Sequence, residues 1–263
     1  ASSVNRDMET SMARLSSGKR INSASDDAAG VAISSRLSAE IRGTDQAIRN
    51  SLDGQALIDT AEGAHKEIEN ILQRMREVSV QAANDTNNDQ DRKNLQAEMN
   101  ALITEIDRIA GTTTWAGADL MEDATTTFSF QVGAATGAKN QISVTINTMN
   151  ATGLGVGTGS ASVVDVTDAA KANTGTGLID AAIEDVNIQR SELGAVSNRL
   201  NHTVNNLTNI SSNLSAAKGG IEDADFALET TNLAKNQILQ QASTAMLAQA
   251  NASKQNVLSL LQG

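Results

Sequence analysis

The stretch Leu57-Ile-Asp-Thr-Ala61-Glu-Gly-Ala64-His-Lys-Glu-Ile68-Glu-Asn-Ile71-Leu-Gln-Arg-Met75-Arg-Glu-Val78-Ser-Val-Gln-Ala82 carries apolar residues at alternating spacings of 4 and 3. That period lays one continuous stripe along a helix, the seam of a coiled coil. It predicts a helix from about Thr44 to Ala83, roughly 60 Å long at 1.5 Å per residue. Asn, Asp and Thr crowd residues 84–89, supplying turn formers and N-cap candidates that stop it. The stripe resumes at Leu95, Met99, Leu102, Ile106 and Ile109 and ends at Gly111, which reads as a C-cap. A long helix therefore folds back onto a shorter one.

Further along the chain the heptad returns in its longest run: Ile179, Ala182, Val186, Gln189, Leu193, Val196, Leu200, Thr203, Leu207, Ile210, Leu214 and Ala217. Its polar members, Gln189 and Thr203, are the kind of seam residue that sets register at some cost in stability. Gly219-Gly220 reads as its end, and the acidic Glu222, Asp223 and Asp225 suit the positive end of a further helix running to about Leu261. Between the two heptad regions, from Thr112 to about Gly177, the texture turns to Gly, Thr, Ala and Ser. There Phe128, Phe130 and Val132 alternate with polar residues, Gly133 to Gly137 supply a turn, and Ile142, Val144 and Ile146 alternate again, predicting one β-hairpin. The Gly-rich 150–160 reads as an exposed loop. At the other end, Met8, Met12 and Leu15 mark a short helix broken at Ser16-Ser-Gly18, and Ser25-Asp26-Asp27 caps a helix carrying Ala28, Val31, Ala32 and Leu37. The fold class is mainly α: a long antiparallel helical bundle or coiled coil, with a small β-hairpin and loop region in the middle of the chain.

Composition agrees with thin helical cores. Of 263 residues 40% are hydrophobic, yet the aromatics are one Trp and three Phe, so Ala, Leu, Ile and Val must fill the interior. There is no Pro to break helices, and no Cys for disulfides, thiolate metal sites or thiol nucleophiles. A net charge of −11 with almost no stacking aromatics argues against a nucleic-acid partner. No apolar run approaches the roughly 20 residues of a membrane span, and helix faces rich in Asn, Gln and acids argue against a membrane-surface partner.

Few residues suggest chemistry. Glu62, His65 and Glu69 lie one turn apart on one helix face, as ligands of a carboxylate-bridged metal bundle would, but His202 has Arg199 where a second Glu should stand; a solvated polar face is the plainer reading. Residues 153–159 lack the Lys-Ser/Thr of a phosphate loop. No nucleophile, base and orienting group converge, so neither an enzyme nor a cofactor is expected. The C-terminal stretch with Ile238, Leu239, Ala242, Met246, Ala250, Val257, Leu260 and Leu261 is so sparsely charged that its sides must be covered, by its own domain or by neighbouring subunits.

Arg14-Leu-Ser-Ser-Gly-Lys-Arg-Ile-Asn-Ser-Ala-Ser-Asp-Asp-Ala-Ala-Gly30 closely resembles the N-terminal signature of bacterial flagellins, and Leu72-Gln-Arg-Met-Arg-Glu-Val-Ser-Val-Gln-Ala-Ala-Asn84 matches the same family. So do Glu105-Ile-Asp-Arg108, Gly194-Ala-Val-Ser-Asn-Arg-Leu200, Ile221-Glu-Asp-Ala-Asp225, Ile238-Leu-Gln-Gln241 and Gln255-Asn-Val-Leu-Ser-Leu-Leu261, in order along the chain. The resemblance departs at Ala116, where an aromatic-Asn-Gly is usual, at Lys254, where many members have a proline, and ahead of Ala1, where the family's opening segment is missing.

What the resemblance implies is an extracellular filament subunit of the bacterial flagellum, exported unfolded and self-assembled into a homopolymer for swimming. It divides the chain into a truncated inner-tube helix and spoke (1–43), the first half of the core bundle (44–111), the hairpin and variable loops (112–176), the long C-terminal core helix (177–219) and the C-terminal inner-tube helix (220–263). Polymerisation contacts then fall on Ile238, Leu239, Met246, Val257, Leu260 and Leu261. Implied partners besides self are an export chaperone at the C-terminal helix, the filament cap and the hook-junction proteins. Toll-like receptor 5 joins them, with contacts aligned on Arg74, Val78 and Glu98, Val78 replacing a common leucine. A hook–filament junction protein, which shares the terminal helices, is the nearest alternative.

Overall fold

In the computed structural model residues 2–157 and 163–261 are described, with side chains described as far as Lys254. The helices are α1 (Ser2–Ser17), α2 (Ala28–Ala82), α3 (Asp89–Thr112), α4 (Ala169–Glu222) and α5 (Phe226–Leu261); the strands are β1 (Thr114–Trp115), β2 (Ala118–Asp119), β3 (Thr126–Gln131) and β4 (Gln141–Ile146). The helix expected from residue 28 and the one expected from Thr44 are a single 55-residue element, begun by Asp27, whose carboxylate accepts the Gly30 N–H at 2.8 Å. The chain forms two compact units, one of Ala1–Arg42 with Ile210–Gly263 and one of Gly43–Asn209.

In the 43–209 unit α2 and α4 run antiparallel. Arg76 Nε donates to Asp180 at 2.6 Å, Gln55 to Asn201 at 2.6 Å and Ser79 Oγ to the Ala172 carbonyl at 2.8 Å, so residue numbers rise on one helix as they fall on the other. The heptad seams meet here: Leu57, Ile68, Leu72, Met75, Ile179, Leu193 and Leu200 are all fully buried. Ala64 and Ile71 are only half-buried, while Ile58 and Leu72 beside them go inside. A straight helix drifts against a strict seven-residue period, which spreads its buried face beyond one narrow stripe.

The 84–89 cluster does cap α3: Asn88 and Asp91 form a reciprocal capping box. Gly111, however, is not the cap. Thr112 and Thr113 donate their hydroxyls to the Arg108 and Ile109 carbonyls and carry the helix one residue further. The expected hairpin forms as β3 and β4, with Phe128 opposite Val144 and Phe130 opposite Ile142. A second small ladder, Trp115 opposite Ala118, precedes it.

Two further expectations are corrected here. The exposed loop of 150–160 is, through residue 157, a packed turn that buries Ala151, Leu154 and Val156, closed by Val156 and Gly157 N–H groups on the Ala151 carbonyl; the rest of it, 158–160, lies outside the described residues. Helix α4 starts at Ala169 rather than near 177, because Asp168 caps it by accepting the Ala170 N–H at 2.7 Å. The Gly and Ala that disguised this turn allow close packing: a Cβ at Gly175 would stand 3.1 Å from Val164 Cγ1.

In the other unit α1 and α5 lie antiparallel, joined by Arg14 to Glu229 and Asn5 to Gln240. Gly219-Gly220 does not end α4, which continues to Glu222. The chain after α1 supplies the missing cap: Arg20 N–H donates to the Glu222 carbonyl at 2.6 Å and its guanidinium to the Ile221 carbonyl at 2.8 Å.

Candidate assembly surface

The 36-residue α5 has an unusual interior. Among its described residues Glu229 is the one buried side chain. Its carboxylate meets Arg14 of α1 at 2.9 Å, while the second oxygen and Arg14 Nε have no partner among the described residues. Apart from Glu229, only Lys235 and Lys254 are charged in this helix, so its surface carries very little charge. Asp225 starts it by accepting the Ala227 and Leu228 N–H groups.

The predicted apolar row is therefore open on the single chain. Ile238 is 66% exposed and Met246 72% exposed, with Leu239 also exposed. Phe226, Leu228 and Leu247 are exposed as well and escaped the sequence reading; their spacing beside the acidic cap and within the same sparsely charged helix was the available signal. On α1, Met12 is exposed although the helical pattern placed it with Met8 and Leu15. Val257, Leu260 and Leu261 lie beyond the described side chains. So much apolar surface with so little charge is uncommon on a helix that faces only solvent.

On the 43–209 unit Arg74 stands between two carboxylates, 2.9 Å from Glu77 and 2.7 Å from Glu98 on α3. The hydrogen bonds to Glu77 and then Glu98 hold its guanidinium firmly charged. Both Arg74 and Glu98 are exposed enough to reach a partner, but Val78 is fully buried in the helical seam. The expectation that Val78 is a contact is corrected accordingly.

The face carrying Glu62, His65 and Glu69 is not the simple solvated one expected. His65 turns into the core and is fully buried, while Glu62 and Glu69 clasp Arg190 of α4, Glu62 at 2.8 Å. Both carboxylates are thus spent on a guanidinium. Among the described residues no group of three or more His, Asp and Glu is placed to hold a metal ion, and no helix is long and apolar enough to cross a membrane.

Comparison with known families places these features. The model of the bacterial flagellin N-terminal helical region matches residues 1–127, and that of the bacterial flagellin C-terminal helical region matches residues 176–261. The chain belongs to the bacterial flagellins. A flagellin of Halalkalibacterium halodurans is 47% identical over 97% of this chain and 92% of its own length. The flagellin of Bacillus subtilis is 44% identical over 99% of this chain and 95% of its own. The crystal structure of Bacillus cereus flagellin is similar with a TM-score of 0.51 at 32% identity, covering 65% of this chain and 94% of that one. As a flagellin, the chain is a structural subunit of the bacterial flagellar filament, serving motility by self-assembly rather than catalysis. Nothing in these matches favours the hook–filament junction alternative.

Proposed function

We propose that this flagellin polymerises through the apolar face of α5, with Ile238, Leu239 and Met246, and Val257, Leu260 and Leu261 further along, packed against other copies outside the cell. The observation that carries this reading is that α5 buries a glutamate among its described residues while leaving Ile238, Leu239 and Met246 exposed. Covering each large aliphatic side chain contributes about 1.5–3 kcal/mol, so the row as a whole favours association strongly. The same face is the proposed seat of the export chaperone before assembly, since a chain bearing it would otherwise aggregate. Cap and hook-junction proteins would meet it at the filament ends.

Met246→Asp and Ile238→Asp test the assignment. Each should leave the helical circular dichroism of the soluble subunit intact and abolish filaments in electron micrographs. Filaments of normal length from either variant would remove α5 from the interface. Leu207→Asp makes the contrast, because Leu207 is buried within the subunit and its loss should lower the unfolding temperature of the monomer.

Recognition by Toll-like receptor 5 is proposed for Arg74 and Glu98 alone, the pair that bridges α2 and α3 at an exposed position. Receptor signalling unchanged by Arg74→Ala would end that proposal.

A further inference from the structure

His65 is out of place in the seam it occupies. It sits on α2 between Ala61 and Ile68, both fully buried, and is itself fully buried. Its Nδ1 lies 2.5 Å from the Ala61 carbonyl oxygen one turn back, a contact that requires the proton on Nδ1. Nε2 is then a bare acceptor, and among the described residues it has no hydrogen-bond partner. A neutral ring loses little by this, since one unmet lone pair is its whole deficit.

A second proton changes the balance. It must go on Nε2, where it becomes a buried N–H donor without an acceptor on a ring that is now a cation. The charged groups acting on the ring are Glu62, from its own helix, and Arg190, from α4. Glu62 would favour the cation, but it already accepts from Arg190 Nε at 2.9 Å, and the same guanidinium takes Glu69. The guanidinium thus offsets part of the nearby negative charge and itself opposes a cationic ring. Burial is the largest influence and holds the imidazole below its ordinary value of 6.5.

We propose that His65 makes the 43–209 unit acid-labile: its seat in the α2–α4 seam admits the neutral imidazole only, so protonation loosens the packing of these two helices. The linkage has a definite sign. A group whose folded value is depressed binds its proton more readily in the unfolded chain, so stability is full above 6.5 and is lost as pH falls from there toward the folded value. Within that window the folding equilibrium constant drops by up to about tenfold per pH unit. A subunit of this kind would hold its bundle at neutral and alkaline pH and yield it in mild acid.

Trp115 packs against the core of the unit and is the chain's single tryptophan, so its fluorescence follows urea unfolding of this unit in the full-length monomer. Measured from about pH 8 down to about pH 5, the native chain should lose stability below 6.5, and His65→Leu should remove that component of the slope. A proton NMR titration of the native monomer requires no variant. His202 on α4 is exposed and supplies the companion imidazole signal. The His65 ring should remain neutral as the pH falls below the ordinary imidazole value of 6.5. Parallel stability profiles for the native chain and a folded His65→Leu, or a His65 ring that titrates at or above 6.5, would overturn the proposal.

Discussion

Gln189 of α4 donates its side-chain amide to the backbone carbonyl of Thr145 at 2.9 Å and accepts the N–H of Asn147 at 3.1 Å. A helix side chain thereby takes the place of a third strand at the end of β4, and the polar residue in the heptad is explained by the hairpin it holds. Gln96 of α3 treats the 164–166 segment in the same way, accepting the Val166 N–H at 2.7 Å. The middle of the chain is thus fastened to the helices by side-chain amides that imitate a peptide.

Gln189→Leu should therefore be costly despite its apolar surroundings. It removes two partly buried hydrogen bonds, to the Asn147 N–H and the Thr145 carbonyl, and should lower the unfolding free energy by about 1 kcal/mol. Urea unfolding followed by Trp115 fluorescence reads the loss, and the Asn147 amide should exchange faster with deuterium. An unchanged midpoint would mean that water replaces the amide without penalty.

Ala116 gives a prediction of opposite sign. It lies at φ 51° and Gly117 at φ 83° between the paired Trp115 and Ala118, a two-residue turn in which both positions favour Asn or Gly. Alanine pays for the left-handed conformation with its Cβ. Ala116→Asn should raise stability by about 0.5–1 kcal/mol, seen as a higher thermal midpoint. A lower midpoint would show that the methyl group is doing more in packing than it costs in strain.

Asp165 provides an acid-range test separate from His65. Hydrogen bonds from Lys171, then Thr167, pull its carboxyl down from 3.8 to about 2. For a depressed carboxylate the contribution is present above 3.8 and fades as pH falls toward 2. Asp165→Asn should flatten the stability profile in that interval alone, leaving the fall below 6.5 intact. Because both partners are well exposed, added salt should shrink the effect of the Lys171 contact. An identical acid limb in the variant would assign the loss to other carboxylates.

Periodicity carried the fold because seam residues such as Val186, Leu193 and Leu200 repeat over many turns, and no single exception can hide such a repeat. The exposed face of α5 was legible for a related reason: Ile238, Leu239 and Met246 stand out in a helix with almost no charge. Boundaries and single polar residues were not legible, since tertiary partners decide them. Glycines at 219 and 220 looked like a stop, but Arg20 satisfies the carbonyls beyond them and the helix continues. Glu229 drew no notice in the sequence, and Arg14 from the far end of the chain makes it the one buried side chain among the described residues of α5. Val78 aligned with a recognition residue, yet the same heptad that predicted the helix assigns it to the seam. His65 was read as part of a wet carboxylate face because Glu62 and Glu69 share its side of the helix, and their common attachment to Arg190 could not be inferred from spacing.

The antiparallel pairing of α2 with α4 also constrains how such a chain can change length. Gln55 faces Asn201, Arg76 faces Asp180 and Ser79 reaches Ala172, so each turn of one helix has a fixed counterpart on the other. Deleting seven residues from one helix would slide every later pair out of step, and only a matching deletion at the facing level of its counterpart could restore the match. Insertions in the turn that joins β3 to β4 slide neither helix. Divergence in size should therefore accumulate in that turn, while the two helices gain or lose turns together.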